Sequence, residues 1–407
     1  MNEIQWKQGG VTFAKGFTAA GVHCGIRKNK SKRDLALIVC EKPCDAAAIY
    51  TENRVQSAPI AVTRQHLQNG RAQAVICNSG NANTCNADGM QKALRMCEVA
   101  ANAAKVAVED VIVASTGVIG QPLPIEPIEE AQDALRQALS ADAGSDAAEA
   151  ILTTDTVKKE FALEFLLGGK TCRMGGIAKG SGMIHPNMAT MLSFLTTDAD
   201  IEPALLHEAL LRAADRSFNM LSIDGDTSTN DTLAVMASGL CGNERIVAKG
   251  PEFDAFCAAL EALCIALAKA LAKDGEGATR LIECTVTGAL DETAARGIAK
   301  SVICSSLVKA AVFGADANWG RVLCAIGYSG ETVDVTRVKV EFASPKGVIL
   351  VCDQGAGVDF SEELAKEILL EKEIRILVTL GDGTATATAW GCDLTYDYVK
   401  INGDYRT

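Results

Sequence analysis

Short apolar runs alternate with amphipathic stretches along the first half of the chain. Four of these runs have the length of buried strands and lie at residues 35–40, 74–77, 111–114 and 191–195. Between the second and third runs, apolar positions recur at intervals of three and four residues, at Leu94, Cys97, Ala101 and Ala104. This is the pattern of a helix with one apolar face. Strands that alternate with helices predict an α/β arrangement.

Prolines mark the starts of two further helices. Pro127 suits the first turn of a helix that ends near residue 139, and Pro203 suits the first turn of another. The longest helical pattern covers residues 251–272, where apolar side chains recur at threes and fours until Asp274 and Gly275 stop it. Beyond this helix the pattern changes to that of a second unit.

The second unit follows residue 281 and again alternates strands with helices. Its expected strands lie at residues 281–286, 333–342, 348–352 and 374–380, and its expected helices lie near residues 291–312 and 361–370. Residues 384–389 alternate threonine with alanine, and the chain is expected to stay extended from Thr384 to Ile401. No Pro- or Ser-rich linker separates the units. We therefore predict two α/β domains that pack together, residues 1–281 and 282–407.

Composition indicates a folded protein that acts on small molecules. Of the 407 residues, 48% are hydrophobic and 22% are charged, which gives ample core. A net charge of −12 and the absence of any run of five or more basic residues argue against nucleic acid or an anionic membrane as a partner. The N-terminus lacks an apolar signal core, and no uninterrupted apolar stretch of ~20 residues could span a bilayer. A cytoplasmic protein is expected.

Cysteines, histidines and acidic turns show no pattern typical of metal binding. The fifteen cysteines lie in apolar segments without a Cys-x-x-Cys pair, and they are expected to be reduced core thiols. The four histidines lie far apart, which disfavours a zinc site. Asp224, Asp226 and Ser228 have the opening spacing of a calcium loop, but the sixth position is Thr229 instead of glycine and the twelfth, Val235, is not a carboxylate, so a solvated turn is expected there.

A glycine-rich loop meets a strand near the middle of the chain, at residues 179–192, KGSGMIHPNMATML. Its glycines and proline exclude a regular helix, and Thr190 is expected at the start of the strand. A threonine hydroxyl becomes a useful nucleophile when its own α-amine, freed as a chain N-terminus, acts as the base. This chemistry requires cleavage between Ala189 and Thr190, and the small Ala189 leaves room for attack on its carbonyl. On local sequence alone, an ordinary loop before a strand is the better interpretation.

The same segment resembles the self-cleavage signature of the ornithine acetyltransferase family, the bifunctional glutamate N-acetyltransferases of arginine biosynthesis. The resemblance extends over nearly the whole chain and includes residues 115–120, 153–156, 274–279 and 402–407. It implies a mixed α/β (α+β) fold with sheets layered between helices, as in self-cleaving acyltransferases with an N-terminal nucleophile. It also implies an assembly of two α chains, residues 1–189, and two β chains, which begin at Thr190. The domain 1–281 would then carry the nucleophile, and the domain 282–407 would complete the substrate site.

The resemblance also implies roles for single residues. Thr190 would be the nucleophile, and Thr116 with Gly117 would form the oxyanion hole, a role that a threonine hydroxyl beside a glycine N–H suits chemically. The residues implied for substrate binding are Thr153, Lys179, Thr190, Glu276, Asn402 and Thr407. From the residues alone, Lys179 suits a carboxylate and Glu276 suits an ammonium, with a solvated lysine and a solvated helix end as the alternatives.

Three functions are compatible with these features. The first is transfer of an acetyl group from N2-acetylornithine to glutamate through an acetyl ester on Thr190, without a cofactor and with acetyl-CoA as a further candidate donor. The second is an N-terminal-nucleophile amidase or aminopeptidase that uses water as the acceptor. The third is a binding protein without enzymatic activity. The long motif and its matching satellite residues favour the transferase, whose partners would be amino acids.

Overall fold

Two β-sheets, one of nine strands and one of seven, are formed by the residues that the computed structural model describes, 4–185 and 191–404. The strands are β1 (Gln5–Lys7), β2 (Phe17–Val22), β3 (Leu35–Tyr50), β4 (Arg71–Asn81), β5 (Val111–Val118), β6 (Lys159–Leu167), β7 (Lys170–Lys179), β8 (Leu192–Thr197), β9 (Leu221–Ser222), β10 (Thr232–Ala237), β11 (Leu281–Ala289), β12 (Lys339–Ser344), β13 (Gly347–Asp353), β14 (Ala356–Gly357), β15 (Glu373–Thr379) and β16 (Ala385–Cys392). The helices are α1 (Ala58–His66), α2 (Gly89–Ala104), α3 (Glu126–Glu130), α4 (Gln132–Ala138), α5 (Gly144–Ala150), α6 (Pro203–Arg216), α7 (Pro251–Lys273), α8 (Glu292–Cys304), α9 (Ser306–Phe313), α10 (Trp319–Gly327), α11 (Glu362–Leu369) and α12 (Tyr396–Asp404). The predicted mixed α/β fold with layered sheets is confirmed.

Helices cover both faces of the nine-stranded sheet. Its strands follow the order β1-β6-β7-β8-β10-β3-β4-β5, and β2 pairs with β3 outside this path. Because side chains alternate along a strand, β3 contributes to two different layers. Leu35 and Leu37 share a buried cluster with residues of α1 and α2, whereas Ala36 and Ile38 share another with residues of α5.

The seven-stranded sheet follows the order β14-β13-β12-β15-β11-β16-β9. Most of its strands lie after residue 281, but β9 comes from earlier in the chain and pairs with β16 in parallel, Leu221 beside Trp390. One hydrophobic cluster runs through both sheets and includes all the buried residues of α7. The division of the chain into domains at residue 281 stays a prediction.

Helix α7 lies in the core that the two sheets share. It is the one helix among the described residues that is long and apolar enough to cross a membrane. Phe256, Leu260 and Leu263 on this helix are fully buried and belong to the shared cluster. Its apolar character is therefore that of a core helix.

Two expected helices are each divided in the structure. In place of one helix over residues 127–139, α3 and α4 meet at Ala131. In place of one helix near residues 291–312, α8 ends before Ser305 and α9 begins after it. The Ser305 hydroxyl accepts a hydrogen bond from the Val308 N–H, which is the contact of an N-cap that starts a new helix.

Two expected strands are shorter than the sequence predicted. The strand expected at residues 333–342 begins only at Lys339, because a short 3-10 turn occupies Val335–Arg337. The extended course expected up to Ile401 is wrong, because β16 ends at Cys392 and α12 follows. Within β16 the predicted alternation holds, with Ala389 buried and the Thr388 hydroxyl 3.1 Å from that of Thr285.

The expectation that all cysteines are reduced core thiols is wrong. Cys172 on β7 and Cys241 after β10 form a disulfide. Two further cysteines, Cys85 and Cys324, are exposed. Most of the others are buried, as the sequence predicted.

Candidate active site

Thr116 and Gly117 lie where β5 ends beside β4, in parallel register with Ser79 and Gly80. Thr116 is buried, and both residues line a cavity of about 230 Å³. Gly117 has a φ of +135°, a backbone conformation that glycine adopts easily and other residues rarely do. A side chain at this position would also overlap the backbone of Gly80. Glycine is therefore required here.

Lys179 ends β7 and is buried, with 8% of its surface exposed. Its Nζ donates a hydrogen bond to Thr116 Oγ1 over 3.3 Å. Burial lowers the pKa of Lys179, and the charge of Lys159 lowers it further, against the attraction of Asp155 and Asp231. Because the Thr116 oxygen accepts from Lys179, its own O–H is free to donate elsewhere. A solvated Lys179, the alternative left open by the sequence, is excluded.

A buried ion network lies beside Lys179. Lys159 Nζ contacts Asp155 Oδ1 at 2.6 Å and Asp274 Oδ2 at 2.5 Å, and the lysine side chain has no exposed surface. Burial alone would raise the pKa of Asp155, but the charges of Lys159 and Lys179 outweigh it and lower this pKa to about 2. Asp155 is thus held in its charged form.

Asp155 connects this network to the substrate-binding candidates. Its Oδ2 accepts the Thr153 N–H at 3.0 Å, and its Oδ1 accepts the Gly180 N–H at 2.7 Å. The Thr153 carbonyl in turn accepts from Arg27 Nη2 at 2.9 Å. Sequence reasoning missed Lys159 and its ion pairs with Asp155 and Asp274, since these residues come together only in the fold.

Glu276 faces the glycine-rich loop and the last helix. Its N–H donates to the Ser181 carbonyl at 2.8 Å, and its Oε2 accepts from Asn402 Nδ2 at 2.8 Å. A side chain at Gly182 would overlap the Glu276 carboxylate. Glycine at this loop position therefore lets the carboxylate reach the cavity, and Glu276 is more than a solvated helix end.

Asp224 is a site residue that the sequence interpretation missed. Its two oxygens accept the N–H groups of Met183 at 2.6 Å and Ile184 at 2.9 Å, and it lines the cavity. Burial raises the pKa of Tyr398, and the charge of Asp224 raises it further. The expectation of a solvated turn is therefore wrong for Asp224, although Asp226 is exposed.

The cavity brings together six of the residues that the sequence predicted: Thr116, Gly117, Thr153, Lys179, Glu276 and Asn402. The other predicted residues, Ala189, Thr190 and Thr407, lie outside the described part of the chain. Lys179 supplies one basic group, whereas Asp224, Asp226 and Glu276 supply acidic groups. A cavity with both signs of charge suits a molecule that carries an ammonium and a carboxylate.

Comparison with known proteins shows the family of this chain. A model of the ArgJ family matches residues 18–407. The chain belongs to the ArgJ family. The resemblance drawn from the motifs is confirmed, and so is the expected class of enzyme.

Two bacterial ArgJ proteins match this chain over almost its entire length, and both are named arginine biosynthesis bifunctional proteins. The protein of Symbiobacterium thermophilum is 52% identical over 406 residues, which are 99% of this chain and 100% of the relative. That of Caldanaerobacter subterraneus subsp. tengcongensis is 50% identical over 400 residues, 98% of this chain and 99% of the relative.

A solved ArgJ structure is also similar. The crystal structure of the arginine biosynthesis bifunctional protein of Bacillus halodurans is 48% identical to this chain, with a TM-score of 0.51. The match covers 100% of the crystallised chain but 53% of this one. The solved polypeptide is therefore about half as long as this chain.

Proposed function

We propose that this ArgJ-family chain transfers an acetyl group from N2-acetylornithine to glutamate in arginine biosynthesis, with release of ornithine and formation of N-acetylglutamate. The observation that best supports this proposal is that Thr116 and Gly117 line the same cavity as Lys179 and Glu276. Hydrogen-bond donors for an oxyanion serve acyl transfer, and charged groups of both signs serve amino-acid substrates.

The reaction proceeds by two half-reactions through an acetyl ester on Thr190. The Thr190 hydroxyl attacks the acetyl carbonyl, and its α-amine takes the hydroxyl proton and passes it to the leaving amine of ornithine. The Thr116 O–H and Gly117 N–H donate to the oxygen that becomes negative. In the second half-reaction the glutamate amine attacks the ester, and the proton returns by the same route.

Substrate binding divides between the two charged walls of the cavity. Lys179 binds a substrate carboxylate, and Glu276, held by Asn402 at 2.8 Å, binds the ornithine ammonium. Thr153 and the terminal Thr407 complete the binding set. Since the bound amino acids differ only in their side-chain ends, the same pocket serves both half-reactions.

Self-cleavage between Ala189 and Thr190 supplies the free amine. The products would be 189 residues long and the remaining 218 of the 407 residues. The crystallised Bacillus halodurans chain supports this step, because 53% of 407 residues is about 216, close to the length of the second product. We further propose a cytoplasmic assembly of two α and two β chains, which needs no cofactor and accepts acetyl-CoA as a second donor.

The decisive experiment supplies purified protein with acetylornithine, first with glutamate and then without it, while ornithine, N-acetylglutamate and free acetate are measured. The proposal requires stoichiometric ornithine and N-acetylglutamate, with little acetate. Fast acetate release that does not depend on glutamate would instead identify an amidase. A parallel reaction with acetyl-CoA and glutamate tests the second donor.

A further inference from the structure

Cys172 and Cys241, which form the disulfide, lie on opposite sides of the predicted cleavage position in the sequence. Cys172 belongs to β7 in the first product, and Cys241 follows β10 in the second. Their Cα atoms are 5.4 Å apart, a normal separation for a disulfide. The bond therefore spans the two predicted products.

Backbone hydrogen bonds already hold the two cysteines in place. The Arg173 carbonyl accepts the Asp198 N–H at 3.1 Å, and the Asp198 carbonyl accepts the Cys241 N–H at 2.7 Å. The Arg173 N–H also donates to Asp198 Oδ1 at 2.7 Å. Asp198 thus links the neighbour of Cys172 to Cys241, and this fixed geometry raises the effective concentration of one thiol near the other.

The surroundings of the sulfur atoms disfavour free thiolates. A carboxylate oxygen of Asp198 lies within 4.8 Å of both sulfurs, and its Oδ2 has no hydrogen-bond partner among the described residues. Cys172 is fully buried and Cys241 is 9% exposed. A buried carboxylate repels a thiolate, whereas a disulfide carries no charge, and burial keeps external thiols away from the bond.

We infer that the Cys172–Cys241 disulfide joins the two self-cleavage products of this protein covalently. The inference rests on the proposed cleavage and adds a bond that the acetyl-transfer chemistry does not require. The oxidant is a low-molecular-weight disulfide of the glutathione type. Before folding has buried the two sulfurs, one cysteine thiolate attacks it and expels one thiol, and the second cysteine then attacks the mixed disulfide and expels the other. Two protein thiols are oxidised and one small disulfide is reduced to two thiols.

The test compares denatured protein with and without reductant after free thiols have been blocked by alkylation during lysis. Without reductant we expect one species, with the mass of the alkylated chain plus one water and minus two hydrogens. With reductant we expect the two fragments of 189 and 218 residues. Thirteen alkylated cysteines, instead of the fifteen in the sequence, are expected in the linked species.

Variants and direct mapping keep the outcome clear. Cys172→Ser and Cys241→Ser should each lose the linked species completely, whereas Cys257→Ser, which removes a buried free thiol of α7, should retain it. Proteolysis of the unreduced wild-type protein should yield a disulfide-linked peptide pair that contains Cys172 and Cys241. This measurement does not depend on whether the variants fold.

Three results would count against the linkage. Two fragments in the absence of reductant overturn it and leave the proposed cleavage intact. If those fragments come with one zinc ion per chain, measured by elemental analysis, the cluster of Cys172, Cys241 and Asp198 is a metal site instead. A single full-length species under both conditions overturns the cleavage, and the linkage of products falls with it.

Discussion

At the scale of single residues, the contact between Lys179 and Thr116 leaves the hydroxyl hydrogen of the threonine available for donation to another group. The Lys179 ammonium donates to Thr116 Oγ1 at 3.3 Å, and a hydroxyl that accepts one bond still has its own proton to give. Lys179 therefore has two tasks in this proposal, one toward the substrate and one toward the oxyanion donor. These tasks can be separated by mutation.

Thr116→Ala should lower kcat by about 10²–10³-fold with little change in KM, because an oxyanion donor acts mainly in the transition state. Steady-state kinetics with acetylornithine and glutamate provide the measurement. Ser115→Ala is the matched control, since its hydroxyl lies 4.0 Å from the Met96 sulfur and away from the cavity. Unchanged turnover of Thr116→Ala would mean that this residue is only a strand end.

Lys179→Met should weaken both half-reactions, because loss of one partner of a desolvated charge pair commonly costs about 2–5 kcal/mol. Glu276→Gln should instead reduce kcat/KM for acetylornithine more than for glutamate, since only ornithine carries a side-chain ammonium. The comparison of kcat/KM for each substrate in both variants separates the two roles. Equal losses for both substrates in Glu276→Gln would contradict ammonium binding by Glu276.

The sequence located the residues of the site whose chemistry is visible in a short motif. Thr116, Lys179 and Glu276 lie in such motifs, and the structure brings them to one cavity. Asp224 was missed because its partners, Met183 and Ile184, lie some forty residues earlier. A local turn pattern contains no information on such a distant contact.

At the scale of elements, periodicity predicted only those helices that bury an apolar face. Helix α7 formed as expected because its apolar side chains recur along 23 residues. Helix α12 has no buried residue, so its sequence gives no such signal. The expected strand was replaced by a helix that lies beside the cavity and presents Tyr398 and Asn402 to it.

Truncation after Thr395 should leave the fold stable while it impairs the reaction. Thr395 itself stays anchored, since its hydroxyl donates to the Gly277 carbonyl at 2.7 Å. The truncation removes the Asn402 bond to Glu276, and a hydrogen bond to a charged group contributes about 1.5–3 kcal/mol. We expect a thermal midpoint close to that of the full chain and a kcat/KM for acetylornithine reduced about tenfold or more. A large fall in the midpoint would show that α12 is a structural element.

The ion network between β6 and the end of α7 should make stability depend on acid pH. The pKa of Asp155 is about 2 in the folded chain and ~3.9 in the unfolded chain. The stabilisation of the fold by ionised Asp155 is therefore fully present above the pKa of the unfolded chain. It is lost as the pH falls through this window. Lys159→Met should cost about 3–5 kcal/mol at neutral pH, since it leaves two buried carboxylates without the lysine they share.

Thermal midpoints of wild type and Lys159→Met, recorded from neutral pH down to about pH 2, provide the measurement. Lys158→Met is the matched control, because this neighbouring lysine is exposed and should have little effect. The gap between wild type and Lys159→Met should narrow toward the acid end. A gap that stays constant would contradict the charged network.

At the scale of the whole molecule, the predicted products are interleaved within one sheet. Strands β8 and β10 of the second product lie between β7 and β3 of the first. β8 pairs with β7 from Leu192 to Thr197, and β10 pairs with β3 from Thr232 to Ala237. Neither product could complete this sheet alone.

Cleavage should therefore change how the protein refolds. The uncut variant Thr190→Ala should recover its circular dichroism after dilution from denaturant at a rate that does not depend on protein concentration. The cleaved wild type, kept reduced, should recover its circular dichroism more slowly than the uncut variant. Its rate should rise with protein concentration, because the two products must first associate. Concentration-independent recovery of the reduced, cleaved protein would contradict the interleaved arrangement.

The interleaved sheet also determines which two products stay together in each molecule. A second product that inserts two strands between those of the first cannot leave without breaking the hydrogen bonds along both of its borders. Each first product is thus expected to keep the second product with which it was synthesised. If isotopically heavy and light preparations are mixed after cleavage, native mass spectrometry of units with one first and one second product should find only heavy–heavy and light–light pairs. This should hold even if such units exchange freely between larger assemblies.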